Sequence, residues 1–142
     1  MSDLCFVYGS LKRGYWNNHL LDQAIFLGEA ITQKPFLMTT VGFPYLFDLS
    51  VETIPDHPPN IQTYRVVGEV FKVNDDHIRR LDWLEGVSSN HYKRQKEFVR
   101  LDSGEIVKAY IYVAASLDHM QYTKHVDPIK VGNEGCYKWK TV

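Results

Sequence analysis

The sequence predicts an α+β fold in which a mostly antiparallel, barrel-like sheet is accompanied by two main helices. Two observations support this class. Segments with the composition of strands clearly outnumber segments with helical periodicity, and the two kinds do not alternate regularly, as they would in a doubly wound parallel sheet. Residues 1–142, of which 44% are hydrophobic and 23% charged, are therefore expected to form a single domain with its own core.

The first part of the chain is expected to run strand, loop, helix. Residues 4–8 are an apolar and aromatic run that Gly9 and Ser10 end at once, which predicts a buried strand entering a tight loop. Residues 17–27 carry apolar side chains at mainly helical spacing and are followed by Gly28, which indicates a first helix and its end. Further strands are predicted at residues 30–32, 36–41 and 45–49.

The composition changes in the middle of the chain. Residues 50–60 are polar and contain prolines, so we expect a long surface loop there. Residues 63–73 then have the composition of a long strand, in which Gly68 indicates either a bulge or the close approach of another group. The chain from Ser116 onward has no regular pattern and is expected to be irregular.

A second helix and a hairpin follow the long strand. Asn74 is a suitable N-cap, the apolar residues after it are spaced by three, and Gly86 is the expected C-terminal cap. Residues 92–101 and 106–113 flank a turn cluster that contains glycine. These two segments therefore predict an antiparallel β-hairpin.

The charge balance and hydropathy argue against several classes of protein. The chain has 16 Lys and Arg against 17 Asp and Glu, for a net charge of −1, so no nucleic-acid partner is expected. Isolated basic doublets such as Lys12-Arg13 are expected on solvated faces. No apolar run approaches the length of a membrane span, and residues 1–3 lack the basic region of a signal peptide, so we expect a cytoplasmic protein with no membrane partner.

The cysteines and histidines do not form a recognisable ligand pattern. Cys5 and Cys136 are far apart and are expected to be reduced, structural thiols. The 6 histidines show neither an i, i+4 pair nor another spacing typical of a metal site. No metal and no other cofactor are therefore expected.

The glycine loop after the first strand is the first candidate for a binding site. Residues 9–14 have the glycine spacing of a phosphate-binding loop, but Tyr15 and Trp16 stand where that motif requires Lys followed by Ser or Thr. A nucleotide site of this type is therefore excluded. Two interpretations remain: a plain tight turn, or a turn whose successive backbone N–H groups form a concavity that binds an anion.

Glu85 is the candidate for acid–base chemistry because it lies in the last turn of the second helix, a position that carboxylates usually avoid. The negative end of the helix dipole and the apolar residues Trp83 and Leu84 both disfavour its ionised form. A raised pKa would make Glu85 suitable as a general base. By placement alone, a solvent-exposed glutamate at the helix end is the alternative.

Several motifs occur in the order found in one enzyme family. They are VYGSLKRG at residues 7–14 with Asn18-His19 after it, GEVF at 68–71, LDWLEG at 81–86, YKR at 92–94 and AYIY at 109–112. Together they resemble the γ-glutamylcyclotransferase-like superfamily, especially its small γ-glutamylamine cyclotransferase branch. The resemblance runs from Leu4 to about Lys138 and implies the α+β barrel fold of that superfamily.

The resemblance also implies an activity and its residues. The substrate would be a small γ-glutamyl compound, whose own α-amino group attacks its γ-carbonyl and releases 5-oxoproline and a free amine, with no cofactor. Glu85 would be the catalytic base, and the substrate would be bound by Tyr8, Gly9, Ser10, Leu11, Tyr92 and Tyr112. Tyr110 is an equally available alternative to Tyr112 under a register slip of one residue.

Two functions without catalysis remain as alternatives. The barrel could bind a small ligand without turning it over, or it could serve as a partner-binding module through residues 50–60. We expect a monomer or a weak homodimer. The sequence leaves open which amine or amino acid departs from the γ-glutamyl group.

Overall fold

Five strands form a closed barrel in the computed structural model, which describes residues 3–49, 62–116 and 123–140. The strands are β1 Asp3–Val7, β2 Ile25–Thr32, β3 Leu37–Thr40, β4 Pro44–Phe47, β5 Arg65–Val73, β6 Tyr92–Leu101, β7 Ile106–Ala114, β8 Lys124–His125, β9 Ile129–Val131 and β10 Glu134–Tyr137. Helix α1, Asp75–Leu84, lies between β5 and β6, and Asn18–Leu21 and Val87–Ser89 are 3-10 turns.

The barrel is closed by the pairing of its first and fifth strands. Its order is β1-β7-β6-β2-β5, and β1 also pairs with β5 along its whole length, from Asp3 opposite Val73 to Val7 opposite Glu69. Most pairings are antiparallel, but β1 and β7 are parallel, as are β10 and β5. The predicted barrel is therefore confirmed, and its sheet is mixed rather than purely antiparallel.

The second predicted helix is confirmed, together with both of its caps. The Asn74 side chain accepts a hydrogen bond from the His77 N–H (2.9 Å), and the Asn74 N–H donates to the His77 ring (3.1 Å). Gly86 follows the helix with φ = 65°, the left-handed conformation that favours glycine. The His77 Nε2 also lies 2.7 Å from the Asp22 carbonyl oxygen, which attaches the helix to the barrel.

The first predicted helix is wrong. Only the 3-10 turn Asn18–Leu21 forms, and β2 begins at Ile25, inside the segment with helical spacing. Ile25 pairs with Lys72 of β5, and the Phe26 ring packs on that of Phe71, with centroids 5.4 Å apart. Strand pairing and aromatic packing in the tertiary structure therefore override the local helical periodicity. Within the described residues, the protein has one main helix, not two.

The tail predicted to be irregular contains short strands instead. β10 pairs with β5 through Cys136 opposite Arg65, and β9 pairs with β10. β9 is exposed along its length and has no alternation that a sequence pattern could reveal. Both cysteines are free and buried, as expected. The loop predicted at residues 50–60 lies outside the described residues.

Gly68 marks a close approach, one of its two predicted meanings. A Cβ atom at this position would lie 2.4 Å from the Val7 carbonyl oxygen and 2.6 Å from the Phe6 ring. The irregularity in the pairing of β2 with β5 falls instead in β2, between Phe26 and Gly28. Gly68 therefore lets β1 and β5 approach each other inside the barrel.

We predict that Gly68→Ala destabilises the protein by about 1–3 kcal/mol, since the methyl group has no space between a backbone oxygen and a core ring. Urea unfolding monitored by circular dichroism measures the change. An unchanged free energy of unfolding would contradict the close approach of the two strands at this residue.

Candidate active site

A cavity of about 240 Å³ opens where the loop after β1 meets the end of α1. Every sequence-predicted site residue lines it: Tyr8, Gly9, Ser10, Leu11, Glu85, Tyr92 and Tyr112. The loop and Glu85 are far apart in sequence, so the barrel and its helix bring them together. Ligand pockets commonly span about 300–1,000 Å³, so this cavity suits a ligand the size of a single amino acid.

The glycine loop lines this cavity and has backbone donors that no acceptor among the described residues uses. Its own hydrogen bonds join the Lys12 N–H to the Gly9 carbonyl oxygen (3.1 Å) and the Asn17 N–H to the Ser10 carbonyl oxygen (3.0 Å). The Asn17 side-chain amide also donates to the Ser10 hydroxyl (2.8 Å). Within the described residues, the amide N–H groups of Gly9, Ser10 and Leu11 have no hydrogen-bond acceptor. This arrangement favours the anion-binding interpretation over a plain turn.

Tight packing holds the glycine loop in place. A Cβ atom on Gly9 would lie 2.8 Å from Cγ of Pro44, the first residue of β4. The Arg13 N–H donates to the Glu69 carboxylate (2.8 Å), and the Lys12 ammonium donates to the Trp139 carbonyl oxygen (2.6 Å). Lys12 is only 5% exposed, and burial lowers its pKa. The expectation that this basic doublet lies on a solvated face is therefore wrong for Lys12.

Glu85 caps the C-terminal end of α1 and faces the cavity. Its N–H donates to the Leu81 carbonyl oxygen (2.9 Å), and its side chain is partly buried. Burial raises the pKa of Glu85 from 4.5 to about 7. Among the described residues, none donates a hydrogen bond to the carboxylate or forms an ion pair with it. A fully solvated glutamate, the alternative interpretation, does not match this environment.

The apolar surroundings of Glu85 come partly from a different source than the sequence suggested. Leu84 lines the cavity, but Trp83 is 83% exposed and points away from it. The aromatic rings near the carboxylate belong to the barrel instead, namely Tyr8, Tyr92 and Tyr112. Their positions follow from the closure of the sheet and not from their distance along the chain.

Each of the three predicted tyrosines uses its hydroxyl in a hydrogen bond within the protein. Tyr8 donates to the Tyr112 carbonyl oxygen (2.5 Å), and Tyr92 donates to the Pro44 carbonyl oxygen (2.7 Å). Tyr112 donates to the Asp82 carboxylate (2.7 Å). Burial is the main cause that raises the pKa of each phenol above its ordinary value. The tyrosines are therefore neutral and form a rigid wall.

Position along β7 distinguishes Tyr112 from Tyr110, which lie two residues apart on the same face of the strand. Tyr112 pairs with Arg94 of β6 and lines the cavity. Tyr110 instead packs beneath the Arg94 guanidinium, whose Cζ lies 4.7 Å from the centre of the Tyr110 ring. Arg94 also donates to Asp82 of α1 (2.5 Å). Since Asp82 accepts hydrogen bonds from both Arg94 and Tyr112, it fixes the last turn of α1 against the barrel next to Glu85.

The cavity also contains residues that the sequence reasoning missed. They are Trp16, Asn17, Phe43, Pro44, Leu84 and His91, with Phe6 and Val7 at its base. His91 carried no spacing signal, but its Nε2 lies 2.8 Å from the Tyr45 hydroxyl. The Tyr45 ring in turn stacks on that of Tyr92, with centroids 5.0 Å apart. Only the position of His91 directly before Tyr92 could have suggested that it belongs to the site.

Two features of other protein classes are absent from the part of the chain that the structure describes. No helix there is long and apolar enough to cross a membrane. No group of three or more His, Cys, Asp or Glu side chains converges there on a position that could hold a metal ion.

The fold is that of a small barrel protein. Its cavity has the size of a small ligand and is lined by a glutamate with a raised pKa and by backbone N–H groups that are free to donate hydrogen bonds. Comparison with known families identifies the barrel. The family described as gamma-glutamyl cyclotransferase, AIG2-like, matches residues 5–137, and the chain belongs to this family.

Individual relatives agree with this assignment. A Methanocaldococcus jannaschii protein, provisionally named a gamma-glutamylcyclotransferase, is 33% identical over 108 residues, which cover 75% of this chain and 80% of that protein. The gamma-glutamylaminecyclotransferase of Rattus norvegicus is 32% identical over 126 residues, covering 78% and 77%. The crystal structure of an AIG2-like protein from Mus musculus superposes with a TM-score of 0.68 at 26% identity, covering 88% of this chain and 86% of that one.

We predict that Glu85 makes the stability of the fold depend on pH. Because its folded-state pKa, about 7, lies above the value of 4.5 for an ordinary glutamate, the folded state binds this proton more tightly than the unfolded state does. The contribution of Glu85 to the free energy of unfolding is therefore complete below pH 4.5 and is lost as the pH rises to about 7.

Glu85→Gln should remove this loss, so the variant should gain stability relative to the unmodified protein as the pH rises through the same range. Urea unfolding of both proteins at a series of pH values measures the difference. A difference that stays constant across the range would contradict the raised pKa.

Proposed function

We propose that this protein is a γ-glutamyl cyclotransferase that releases 5-oxoproline and a free amine from a small γ-glutamyl compound. The observation that carries this proposal is the pairing of Glu85, with its raised pKa, and the unused amide donors of residues 9–11 in one cavity. Membership of the gamma-glutamyl cyclotransferase, AIG2-like family supports it.

The proposed reaction is an intramolecular cyclisation that expels an amine and needs no water, metal or redox partner. The substrate's α-amino nitrogen attacks its own γ-carbonyl carbon and forms the new C–N bond of the five-membered ring. The bond between that carbon and the original amide nitrogen then breaks. One proton leaves the attacking nitrogen and one is gained by the departing nitrogen, so atoms and charges balance.

Glu85 would carry out both proton transfers. Attack requires a neutral amine, and a carboxylate with a pKa near 7 is basic enough to accept a proton from the attacking nitrogen. Once protonated, the same group can deliver that proton to the departing nitrogen. No lysine or arginine lines the cavity within the described residues, and burial is the cause that raises the pKa of Glu85.

The glycine loop would hold the negative charge of the substrate. The amide N–H groups of Gly9, Ser10 and Leu11 are suited to bind either the α-carboxylate or the oxyanion that develops on the γ-carbonyl oxygen. Fixed donors of this kind need no reorganisation during the reaction. They also fold the substrate back on itself, and well-oriented intramolecular attack reaches effective molarities of about 10⁵ M or more.

The tyrosines would shape the cavity around the folded substrate. Tyr8, Tyr92 and Tyr112 have their hydroxyls committed to protein acceptors, so they contribute apolar ring faces rather than protons. This role fits a reaction that needs no enzyme nucleophile. It also keeps the surroundings of Glu85 apolar, which supports its raised pKa.

We predict that Glu85→Gln folds normally but loses 5-oxoproline release by a factor of about 10²–10⁴, since glutamine keeps the size of the side chain and cannot take up a proton. The release of 5-oxoproline from a panel of γ-glutamyl compounds measures the effect. For the unmodified protein, kcat/KM should rise with pH through an ionisation near 7.

Glu105→Gln is the matched control for this loss, because Glu105 is an exposed glutamate on the turn between β6 and β7. It should retain full activity. Near-full release by the Glu85→Gln variant would overturn the proposed base. Ligand binding without turnover by the unmodified protein would favour the non-catalytic alternative.

A different prediction concerns Ser10, which would act through its backbone N–H. Ser10→Ala keeps that donor and loses only the hydrogen bond from the Asn17 amide, so its activity should stay within about tenfold of the unmodified protein. Steady-state kinetics of 5-oxoproline release measure it. Complete loss with an intact fold, or a trapped acyl-enzyme on Ser10, would instead show that the hydroxyl is a nucleophile.

A further inference from the structure

An open groove of about 670 Å³ lies beside the catalytic cavity and has no role in the proposed reaction so far. Its walls come from the loop after β1, from β3 and the turn after it, and from the last described residues of the chain. Trp16, Thr40, Gly42, Lys138, Trp139 and Lys140 are among the residues that line it.

The groove adjoins the cavity, because the two spaces share one lining residue and one turn. Trp16 lines both spaces. The turn between β3 and β4 contributes Gly42 to the groove and the next residue, Phe43, to the cavity. A molecule that fills the cavity and extends past Trp16 would therefore reach the groove.

The size of the cavity favours such an extension. At about 240 Å³ it suits one amino-acid unit, which the γ-glutamyl half of the substrate would occupy. The second half of the substrate, the part that departs as the amine, must then lie outside. The adjoining groove is large enough to hold it.

The groove combines an apolar surface with positive charge. Trp16 is 56% exposed, and its ring packs edge-on against the buried Trp139, with centroids 5.9 Å apart. Lys138 and Lys140 carry the charge, and no carboxylate lines the groove within the described residues. The third lysine of this region, Lys12, already donates its ammonium to the Trp139 carbonyl oxygen.

The field of the two groove lysines reaches their neighbours. After burial, which is the largest cause, Lys138 and Lys140 are among the charges that lower the pKa of Lys12, whereas Glu69 and Glu29 act in the opposite direction. Since two lysines and no carboxylate line the groove within the described residues, a positively charged end of a ligand would be repelled there. A carboxylate would be attracted.

We propose that this groove is the leaving-group subsite and that it selects γ-glutamyl amino acids or peptides whose departing part has an apolar side chain and a free carboxylate. The proposal rests on the proposed cyclotransferase function. Trp16 would contact the apolar side chain, and Lys138 and Lys140 would pair with the carboxylate. A departing amine with a cationic end would be disfavoured.

Binding to the Glu85→Gln variant tests this selection apart from turnover. The two probes are γ-glutamyl-leucine and γ-glutamyl-leucinamide, which differ only in the carboxylate of the departing half. Titration calorimetry should give a dissociation constant about tenfold lower for the carboxylate form. High salt should reduce this preference, because the lysines are partly exposed.

Adding Lys138→Ala and Lys140→Ala to the same background should abolish the preference and leave the affinity for the leucinamide probe unchanged. Lys72→Ala, an exposed lysine on β5 outside the groove, is the matched control and should keep it. Circular dichroism establishes that each variant is folded. Equal affinity for the two probes overturns the subsite. A carboxylate preference that survives the double substitution also overturns it, and so does a failure of both probes to bind.

Turnover by the unmodified protein separates the two proposals. Binding with the carboxylate preference but no 5-oxoproline supports the subsite as a recognition surface and overturns the cyclotransferase function. Release of 5-oxoproline from both probes with equal kcat/KM supports the function and overturns the subsite.

Discussion

The pairing of β1 with β5 is the constraint on which the site depends. The two strands are antiparallel, so the end of β1 at Val7 lies opposite Glu69, while the end of β5 at Val73 lies opposite Asp3. The glycine loop leaves the barrel at the first of these positions, and helix α1 begins just beyond the second. Ten helical residues span about 15 Å, close to the roughly 17 Å of the five-residue strand β1. The helix therefore runs back along the barrel and delivers Glu85 to the glycine loop.

The anchors around the cavity act on the elements that carry the site. Asp82 binds both Arg94 and Tyr112, and it fixes the last turn of α1 to β6 and β7. On the opposite side, Glu69 accepts the Arg13 N–H and holds the glycine loop. These contacts position Glu85 and the loop amides from outside the cavity, so none of them places a charge beside the reacting groups.

The cavity is weakly charged, because few charged or unpaired polar side chains line it within the described residues. The tyrosine hydroxyls are satisfied within the protein, and no lysine or arginine lines the space within the described residues. Backbone N–H groups are therefore among the donors available to an anion. Because these are dipoles rather than full charges, they can bind a carboxylate without strongly stabilising the ionised form of Glu85. In the part of the chain that the structure describes, the adjoining groove is lined by two lysines, Lys138 and Lys140.

Short-range sequence patterns were sufficient to predict several elements of the fold and the residues of the candidate site. A short apolar run before Gly9, the Asn74 cap, Gly86 and the turn between β6 and β7 each depend on the conformational preferences of a few neighbouring residues. These preferences act within one turn or one hairpin, so the sequence alone reveals them. The position of Glu85 beside a helix-ending glycine is a signal of the same kind.

The features that the sequence missed depend on partners distant along the chain. Residues 25–27 have helical spacing, yet they lie in a strand because β5 pairs with Ile25 and Phe26. The tail forms β10 because β5 also offers a free edge to Cys136. His91 and Phe43 enter the cavity only once the barrel has closed. Pairing energy between distant segments exceeds the small differences in local propensity, so only the tertiary structure decides these positions.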